Sequence, residues 1–358
     1  MNTEPMKKRL GNIRAQFRRH HVGAVLLTAP VNVTYVTGFS GDESWALVTG
    51  NRVYLLTDSR YTEQARQECF QTNIVQRKGS MAEAAGKLLG RLKSVDAVAI
   101  EQTLPLGSYQ ALKKHAGVRL KATDGLVAEF RSIKDEGEIK AIKAAAAVAA
   151  KALARAEACF KPGITESELA GILDLEFRKR GCTNGFETIV AFGANASRPH
   201  HQPTQRKLRT RDTILIDFGA RYNGYCCDIT RCFVIGKPTK AYRQAYGIVE
   251  RAQAAAIGMA RAGAALVEVD AAARDVIRRS GLPVYGHGSG HGFGLEIHEI
   301  PFLKEQAKGE LRANQVITIE PGIYIPGKLG VRIEDDILIT DDGCEILTRK
   351  CPRTVLPA

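Results

Sequence analysis

Four acidic residues occupy matching places in two similar segments of the C-terminal half of the sequence. The segments are LRTRDTILIDFGARYNGYCCDITR at 208–231 and LRANQVITIEPGIYIPGKLGVRIEDD at 311–336. Each runs through an apolar strand that ends in one acid, passes a turn, and enters a second strand that carries another acid. The acids are Asp217 and Asp228 in the first segment, and Glu320 and Glu334 in the second. Such repetition indicates two related halves within one domain.

The turn of the first segment predicts how its two acids are arranged. Asn223-Gly224 is typical of a two-residue hairpin loop. In that register Asp228 faces Gly219, and Asp217 is the diagonal neighbour of Asp228 on the same face of the sheet. Diagonal side chains lie roughly 7–8 Å apart, which allows two carboxylates to reach a shared ion.

The second segment is predicted to repeat this arrangement. With 326–330 as its loop, Glu334 faces Gly322 and Glu320 again takes the diagonal position. In both segments a glycine would therefore lie opposite the second acid and leave room above the sheet.

The residues around the acids decide between a metal site and a set of surface acids. The runs that lead to the first acid of each segment, 213–216 and 316–319, are apolar, which predicts burial. Buried carboxylates repel one another strongly unless a cation neutralises them. The two segments therefore predict a metal site, and exposed acids on a strand surface are the less favoured alternative.

A run rich in glycine and histidine, GHGSGHGFG at 286–294, precedes the second segment. Its alternate glycines are typical of a strand that approaches another backbone or an ion closely. It has neither the spacing of a dinucleotide-binding loop nor the ending of a P-loop. A neutral imidazole can add a nitrogen ligand to a carboxylate site, whereas a lone histidine is more often structural. The candidate histidines are His287, His291 and His298, with His200 and His201 upstream.

The elements that position these residues begin with an α/β pattern. Helical patterns at 9–20, 81–93 and 109–115 alternate with strand patterns at 24–28, 46–49, 52–57 and 97–101. Residues 1–125 show no chemically suggestive cluster and are predicted to form an accessory or assembly domain. Residues 126–358 are predicted to form the catalytic domain. It opens with helices at 135–160 and 165–181, the second with a capping-box pattern at Thr165.

Composition excludes several classes of protein. The 358 residues are 44% hydrophobic and 25% charged, as in ordinary globular proteins. The net charge of +13 is spread along the chain without a nucleic-acid-binding motif, so we expect no nucleic-acid partner. No apolar run is long enough for a membrane span, and the basic N-terminus lacks the apolar stretch of a secretory signal. We therefore expect a cytoplasmic protein that has no membrane partner.

The motifs together resemble the pita-bread metallopeptidases, which include aminopeptidase P, prolidase and methionine aminopeptidase. The matching motifs are DFGARYNGYCCD, HGSGHGFGLEIHE, TIEPGIY and VRIEDD, with PHH upstream and, more loosely, TDSRYTEQA near the N-terminus. The resemblance implies an α/β N-terminal domain of the creatinase type, followed by an α+β pita-bread catalytic domain with two pseudo-symmetric halves.

The resemblance also implies a centre with two divalent ions. Asp217 would bind one ion, Asp228 and Glu334 would bridge both, and His291 and Glu320 would complete the shell of the second. Manganese is expected because the ligands are rich in oxygen, and cobalt or zinc are also usual.

The remaining family positions imply roles around the substrate. His200 and His298 would stabilise the scissile carbonyl, and Glu320 would also carry a proton to the leaving nitrogen. His287 and Arg332 match supporting positions. Tyr225 and Tyr324 occupy matching places in the two segments and are interpreted as packing residues.

The family contains more than one activity. We expect an Xaa-Pro aminopeptidase, which removes the first residue of peptides with proline in second position, with prolidase as the alternative. A non-enzymatic binding protein is less favoured because every ligand position is intact, although a fold alone never proves function. Methionine aminopeptidases generally lack a domain like residues 1–125. This layout also leads us to expect a homodimer or higher homo-oligomer, in which that domain restricts access to the active site.

Overall fold

A computed structural model describes residues 4–353 and divides the chain into two compact units, Met1–Arg131 and Ser132–Ala358. None of the helices within 4–353 combines the length and the apolar character that crossing a bilayer requires.

The first unit is built on a mixed six-stranded sheet with the order β4-β3-β2-β1-β5-β6. Its strands are β1 Ala24–Leu27, β2 Trp45–Thr49, β3 Val53–Thr57, β4 Asn73–Gln76, β5 Ala97–Glu101 and β6 Arg119–Thr123. Its helices are α1 Glu4–His20, α2 Pro30–Thr37, α3 Thr62–Glu68, α4 Met81–Gly90 and α5 Leu106–Ala116. The short helix α6, Ala128–Ser132, lies where the chain passes into the second unit. The predicted α/β pattern and the β2–β3 hairpin are confirmed.

The second unit contains two pairs of long helices, one pair in each half. The helices are α7 Glu136–Glu157, α8 Glu166–Lys179, α9 Lys240–Met259 and α10 Leu266–Arg279. The predicted capping box of α8 is present, since the Thr165 side chain accepts from the Glu168 amide and the Glu168 side chain accepts from the Thr165 amide. Asp135 and Glu138 form a second capping box at the start of α7.

The strands of the second unit follow the same division into halves. The first half has β7 Thr183–Asn184, β8 Ile189–Phe192, β9 Thr213–Phe218, β10 Ala220–Tyr222, β11 Tyr225–Cys226 and β12 Ile229–Val234. The second half has β13 Gly290–Gly292, β14 Glu299–Leu303, β15 Val316–Ile319, β16 Gly322–Ile325, β17 Leu329–Arg332, β18 Asp335–Ile339 and β19 Cys344–Ile346. One main sheet has the order β12-β9-β8, and the other has the order β14-β13-β15-β18-β19.

Each pair of helices packs on the sheet of its own half. The apolar faces of α7 and α8 form one core with strands β8, β9 and β12. The faces of α9 and α10 form a second core with strands β15 to β18. Burial of these faces stabilises both sheets, and the acids lie at the ends of their strands.

The first hairpin has the predicted register. Tyr222 pairs with Tyr225 across the Asn-Gly turn, and Ile229 pairs with Phe218 further along. Asp228 therefore lies opposite Gly219. A side chain at Gly219 would bring its Cβ to 2.0 Å from the carbonyl oxygen of Cys227, so only glycine fits there.

The second hairpin differs from the prediction by two residues. Gly322 pairs with Arg332 and Ile319 pairs with Asp335, so Glu320 and Glu334 lie directly opposite each other. The predicted pairing of Glu334 with Gly322 is wrong, because the loop has three residues, 326–328, instead of five. Gly327 makes the shorter loop possible by adopting a positive φ of 67°.

Candidate metal centre

All of the acids and histidines that the sequence assigns to the site except His201, together with Arg332, line one cavity of about 450 Å³ in the second unit. His201 is instead buried against Glu166. The lining residues are His200, Asp217, Asp228, His287, His291, His298, Glu320, Arg332 and Glu334. They come from strands β9, β13 and β17 and from the segments that follow β8, β11, α10, β13, β15 and β17. The cavity thus brings together residues from both pseudo-symmetric halves, some of which are more than 100 positions apart in the sequence.

Three of the candidate ligands are close enough to share an ion. Asp228, His291 and Glu334 each offer one ligand atom, and these atoms lie within 4.8 Å of one another. The His291 Nε2 atom is 3.6 Å from Oδ2 of Asp228 and 3.5 Å from Oε1 of Glu320. The structure therefore brings Glu320 to the same imidazole.

Asp217 joins the site through Arg332. The NH2 group of Arg332 donates to Oδ2 of Asp217 at 2.6 Å, and Nε of Arg332 donates to Oγ1 of Thr230 at 3.0 Å. Thr230 in turn donates to Oε2 of Glu334 at 2.6 Å. The other oxygen of Asp217, Oδ1, is buried and accepts no hydrogen bond from residues 4–353. One arginine and one threonine thus fix two of the carboxylates and leave Oδ1 available as a ligand.

The acids of the site carry more negative charge than their surroundings neutralise. Burial, and then repulsion by neighbouring carboxylates, raises the pKa values of Asp228 and Glu334 well above their usual range. Burial likewise raises the pKa of Glu320 to about 8, although Arg332 opposes the shift. A cation within the cluster would remove this repulsion, so the acids fit a divalent metal.

The histidine ring that faces these acids is neutral. Burial lowers the pKa of His291 to about 4, and the nearby His298 lowers it further in the same direction. A neutral imidazole has a free nitrogen lone pair, which is the form that binds a metal. The Nδ1 atom of His291 lies 3.1 Å from the carbonyl oxygen of Gly292, so Nδ1 carries the proton and Nε2 faces the acids.

The close approach that the glycine run predicts is present. A Cβ atom at Gly290 would lie 1.9 Å from the carbonyl oxygen of Thr318, so a larger residue would separate β13 from β15. The Thr318 hydroxyl also meets the amide of His291 at 3.1 Å. The glycines therefore bring His291 to the neighbouring acid-bearing strand.

His287 supports the site from the edge of the cavity. Its ring stacks on Tyr285 with the centroids 4.8 Å apart, and its Nε2 atom lies 3.0 Å from the hydroxyl of Tyr324. The same hydroxyl accepts a hydrogen bond of 2.9 Å from NH1 of Arg332. The interpretation of Tyr324 as a packing residue is wrong, because it links His287 to the arginine that holds Asp217.

Apolar residues, all but Ile297 outside the expected motifs, and one lysine complete the cavity. Phe186, Ile189, Ile297 and Phe302 give it an apolar wall, and the exposed Lys304 lies beside them. Lys304 makes no ion pair with another residue in 4–353. The sequence carried no signal for this lysine, since it is separated from every motif and resembles any other surface cation.

Comparison with known proteins identifies the family. Residues 140–341 match the model of metallopeptidase family M24, and residues 9–133 match that of the creatinase/prolidase N-terminal domain. The chain belongs to metallopeptidase family M24. The resemblance expected from the motifs, the predicted fold class and the assignment as a metallopeptidase are confirmed.

M24 relatives cover nearly the whole chain. An Xaa-Pro dipeptidase of Pyrococcus horikoshii is 36% identical over 348 residues, which are 96% of this chain and 97% of that protein. The solved structure of an Xaa-Pro dipeptidase from Bacillus anthracis has a TM-score of 0.94 and 36% identity, and covers 98% of this chain and 99% of that one. An X-Pro aminopeptidase from Thermotoga maritima has a TM-score of 0.87 and 37% identity, with coverages of 96% and 99%. The chain is thus similar to M24 peptidases of both proline-directed kinds.

Proposed function

We propose that this M24 metallopeptidase is an Xaa-Pro dipeptidase that depends on divalent metal ions. The observation that carries the proposal is the convergence of four carboxylates and a neutral imidazole in one cavity. The relatives named Xaa-Pro dipeptidase support this activity better than the Xaa-Pro aminopeptidase that the sequence favoured. Prolidase, the alternative at the sequence level, therefore becomes the main proposal.

Five residues would hold the metal ions. They are Asp217, Asp228, His291, Glu320 and Glu334. The orphaned, buried Oδ1 atom of Asp217 and the repulsion among the other acids support two divalent ions per chain. An oxygen-rich donor set favours manganese, and cobalt and zinc are alternatives. Two such ions, when bound, supply Lewis-acid activation of a water molecule and of the peptide carbonyl.

The residues of the chain would then position the substrate and move the proton. His298 is kept neutral because burial, assisted by His200, lowers its pKa. His298 and His200 would each direct an N–H group to the oxygen of the scissile carbonyl. Glu320 would carry a proton to the proline nitrogen as it leaves. Arg332 would keep Asp217 oriented throughout, at the 2.6 Å contact described above.

Lys304 supports the preference for dipeptides. In an Xaa-Pro dipeptide the carboxylate belongs to the proline itself, so it lies only a few bonds from the scissile amide. Arg332 is already engaged with Asp217, Thr230 and Tyr324. Lys304 would therefore bind that carboxylate, and a longer peptide would place its terminal charge elsewhere.

Steady-state kinetics with matched peptides test the proposal. Ala-Pro and Ala-Pro-Ala share the scissile bond and differ in the position of the terminal carboxylate. Pro-Ala is the control peptide, because its proline is in first position instead of second. We expect Ala-Pro to have the higher kcat/KM and Pro-Ala to remain uncleaved. Equal or faster cleavage of Ala-Pro-Ala would support the Xaa-Pro aminopeptidase, which the 37% identity to the Thermotoga maritima protein favours. The homo-oligomeric state and the cytoplasmic location stay predictions.

A further inference from the structure

A buried carboxylate that belongs to Glu166 lies outside the metal centre. Glu166 is the first residue of helix α8, yet its exposure is 0%. Charged residues are almost never fully buried unless they are paired or hydrogen-bonded. Neither the metal centre nor the proposed reaction uses Glu166, so its burial requires an explanation.

Both oxygens of Glu166 are saturated by hydrogen bonds. Oε1 accepts from the amide of Phe192 and from Nδ2 of Asn195, each at 2.8 Å. Oε2 accepts from Nε2 of His201 at 2.9 Å, and from the amide and the hydroxyl of Thr204 at 3.0 and 2.6 Å. Burial would raise the pKa of Glu166, but these hydrogen bonds hold it below its usual value, so the carboxylate is ionised.

The donors enclose one segment of chain, which we call the histidine loop and define as residues 192–204. Its two end amides, Phe192 and Thr204, and three of its side chains, Asn195, His201 and Thr204, all bind the same carboxylate. Most of the loop is irregular, apart from one short 3-10 turn at Gly193–Ser197. Glu166 thus closes the loop, because it fixes both ends and the middle to one point.

The histidine loop carries His200 into the metal-centre cavity. His200 lines that cavity, next to the buried His201 that binds Glu166. The side chain of His200 is exposed, and no hydrogen bond within the described chain, 4–353, holds its ring. Its position therefore depends on the backbone around it, where the carbonyl of Pro199 also meets NH1 of Arg332 at 3.4 Å.

Helix α8 provides a rigid support for this arrangement. Its capping box fixes the first turn, and backbone hydrogen bonds join that turn to the end of the loop. The Ser167 amide donates to the carbonyl of Thr204 at 3.1 Å, and the Glu166 amide donates to that of Arg206 at 3.2 Å. The carboxylate is thereby held still relative to the loop it binds.

We propose that Glu166 is a positioning residue, which places His200 against the scissile carbonyl by closing the histidine loop on helix α8. This inference rests on the proposed function, because it requires His200 to act on the substrate. Glu166 itself touches neither substrate nor metal, since it lies behind the loop and is bound by Phe192, Asn195, His201 and Thr204.

The test compares Glu166→Gln with Glu176→Gln. Glutamine has the same shape, but its amide nitrogen cannot accept the hydrogen bonds that one carboxylate oxygen receives. Glu176 is the matched control because it lies in the same helix, is also buried and, among residues 4–353, forms ion pairs only with Lys179 and Arg180. We expect Glu166→Gln to lower kcat for Ala-Pro about 10–100-fold, the scale of a misplaced catalytic group, with metal content unchanged. Glu176→Gln should keep the wild-type kcat.

Coupling to His200 separates positioning from general loss of stability. If Glu166 acts through His200, Glu166→Gln should cost little in a protein that already carries His200→Ala. Additive losses, or an unchanged kcat in the folded, metal-loaded Glu166→Gln variant, would overturn the inference. If Glu166→Gln does not fold, Thr204→Val removes the hydroxyl that donates to Glu166 at 2.6 Å and accepts from the Arg206 amide at 3.1 Å. It should lower kcat in the same direction by a smaller factor.

Hydrogen exchange distinguishes failure of this inference from failure of the proposed function. The amides of Phe192, His201 and Thr204 should exchange faster in Glu166→Gln than in Glu176→Gln, whether or not Ala-Pro is cleaved. Unchanged exchange would overturn the inference even in an active enzyme. Faster exchange in Glu166→Gln, together with a wild-type protein that cleaves no Xaa-Pro peptide, would instead show that the loop is closed as described and that the proposed function is wrong.

Discussion

Arg332 and Asp217 form a buried ion pair across the two halves of the catalytic unit, with NH2 2.6 Å from Oδ2. The pair neutralises one acid of the cluster but engages only one of its two oxygens. Arg332 also binds Thr230 and Tyr324, which contact Glu334 and His287. The side chain of Arg332 thus holds several residues of the site in place, and the remaining carboxylates still supply negative charge for metal ions.

The central acid of the cluster should be required for both metal binding and activity. Asp228→Asn removes a negative charge where the ligand atoms of His291 and Glu334 lie within 4.8 Å. We expect it to abolish cleavage of Ala-Pro and to lower the metal content, because metal ions bind carboxylate more strongly than amide. Elemental analysis after gel filtration measures the content. A variant with two bound ions and near-normal turnover would contradict the assignment.

The same substitution should have opposite effects on stability with and without metal. Burial, and then repulsion by neighbouring carboxylates, raises the pKa of Asp228, and this repulsion destabilises the metal-free fold. Asp228→Asn relieves it, so we expect an equal or higher Tm than the wild type in a chelator. With ions at 100 times their Kd the wild type should gain about 2.7 kcal/mol, and the variant less. Thermal melts with and without Mn²⁺ measure both. A variant that is less stable in chelator would show that repulsion is not the dominant effect.

His298 should act on the reaction without holding a metal ion. Its ring lies 4.5 Å, centroid to centroid, from that of His291, yet it lies outside the cluster of Asp228, His291 and Glu334. We expect His298→Ala to lower kcat by about 10²–10³, the scale for one stabiliser of an oxyanion, with the metal content unchanged. Loss of metal from this variant would mean that His298 is a ligand.

Lys304 should affect short substrates only. Lys304→Met removes the charge of an exposed lysine in the wall of the cavity and keeps a side chain of similar length. We expect KM for Ala-Pro to rise about tenfold, as for a lost charged hydrogen bond, with little change for Ala-Pro-Ala. Lys308→Met, at an exposed lysine that does not line the cavity, is the control. Equal changes for both peptides would exclude carboxylate recognition by Lys304.

The sequence predicts the first hairpin well because its turn leaves little freedom. Asn223-Gly224 permits essentially one loop length, so the pairing of Asp228 with Gly219 follows. The second turn contains Pro326, Gly327 and Gly330, which allow several loop lengths. The pattern predicts a loop of five residues, whereas the structure has three. In such cases the register is decided by tertiary packing. Here Gly330 packs so closely on the carbonyl of Ala196 that a Cβ would lie 1.7 Å from it.

Residues that act through distant partners could not be found from the sequence. Glu166 lies 35 residues from His201 and 38 from Thr204, and its sequence neighbours mark only the start of a helix. Tyr324 gains its role from Arg332 and His287, and the latter is 37 residues away. The motifs indicate the candidate ligands because charged residues are rare next to apolar strands, whereas these supporting residues are common types in common surroundings.

The most direct test is a titration of the metal-free enzyme with Mn²⁺, in which release of proline from Ala-Pro and bound ions per chain are followed together. The chain should be inactive after chelation, and its activity should rise with bound Mn²⁺ to a plateau at two ions per chain. Cleavage of Ala-Pro by the metal-free chain, or two bound ions without any release of proline, would contradict the assignment as a metal-dependent Xaa-Pro dipeptidase.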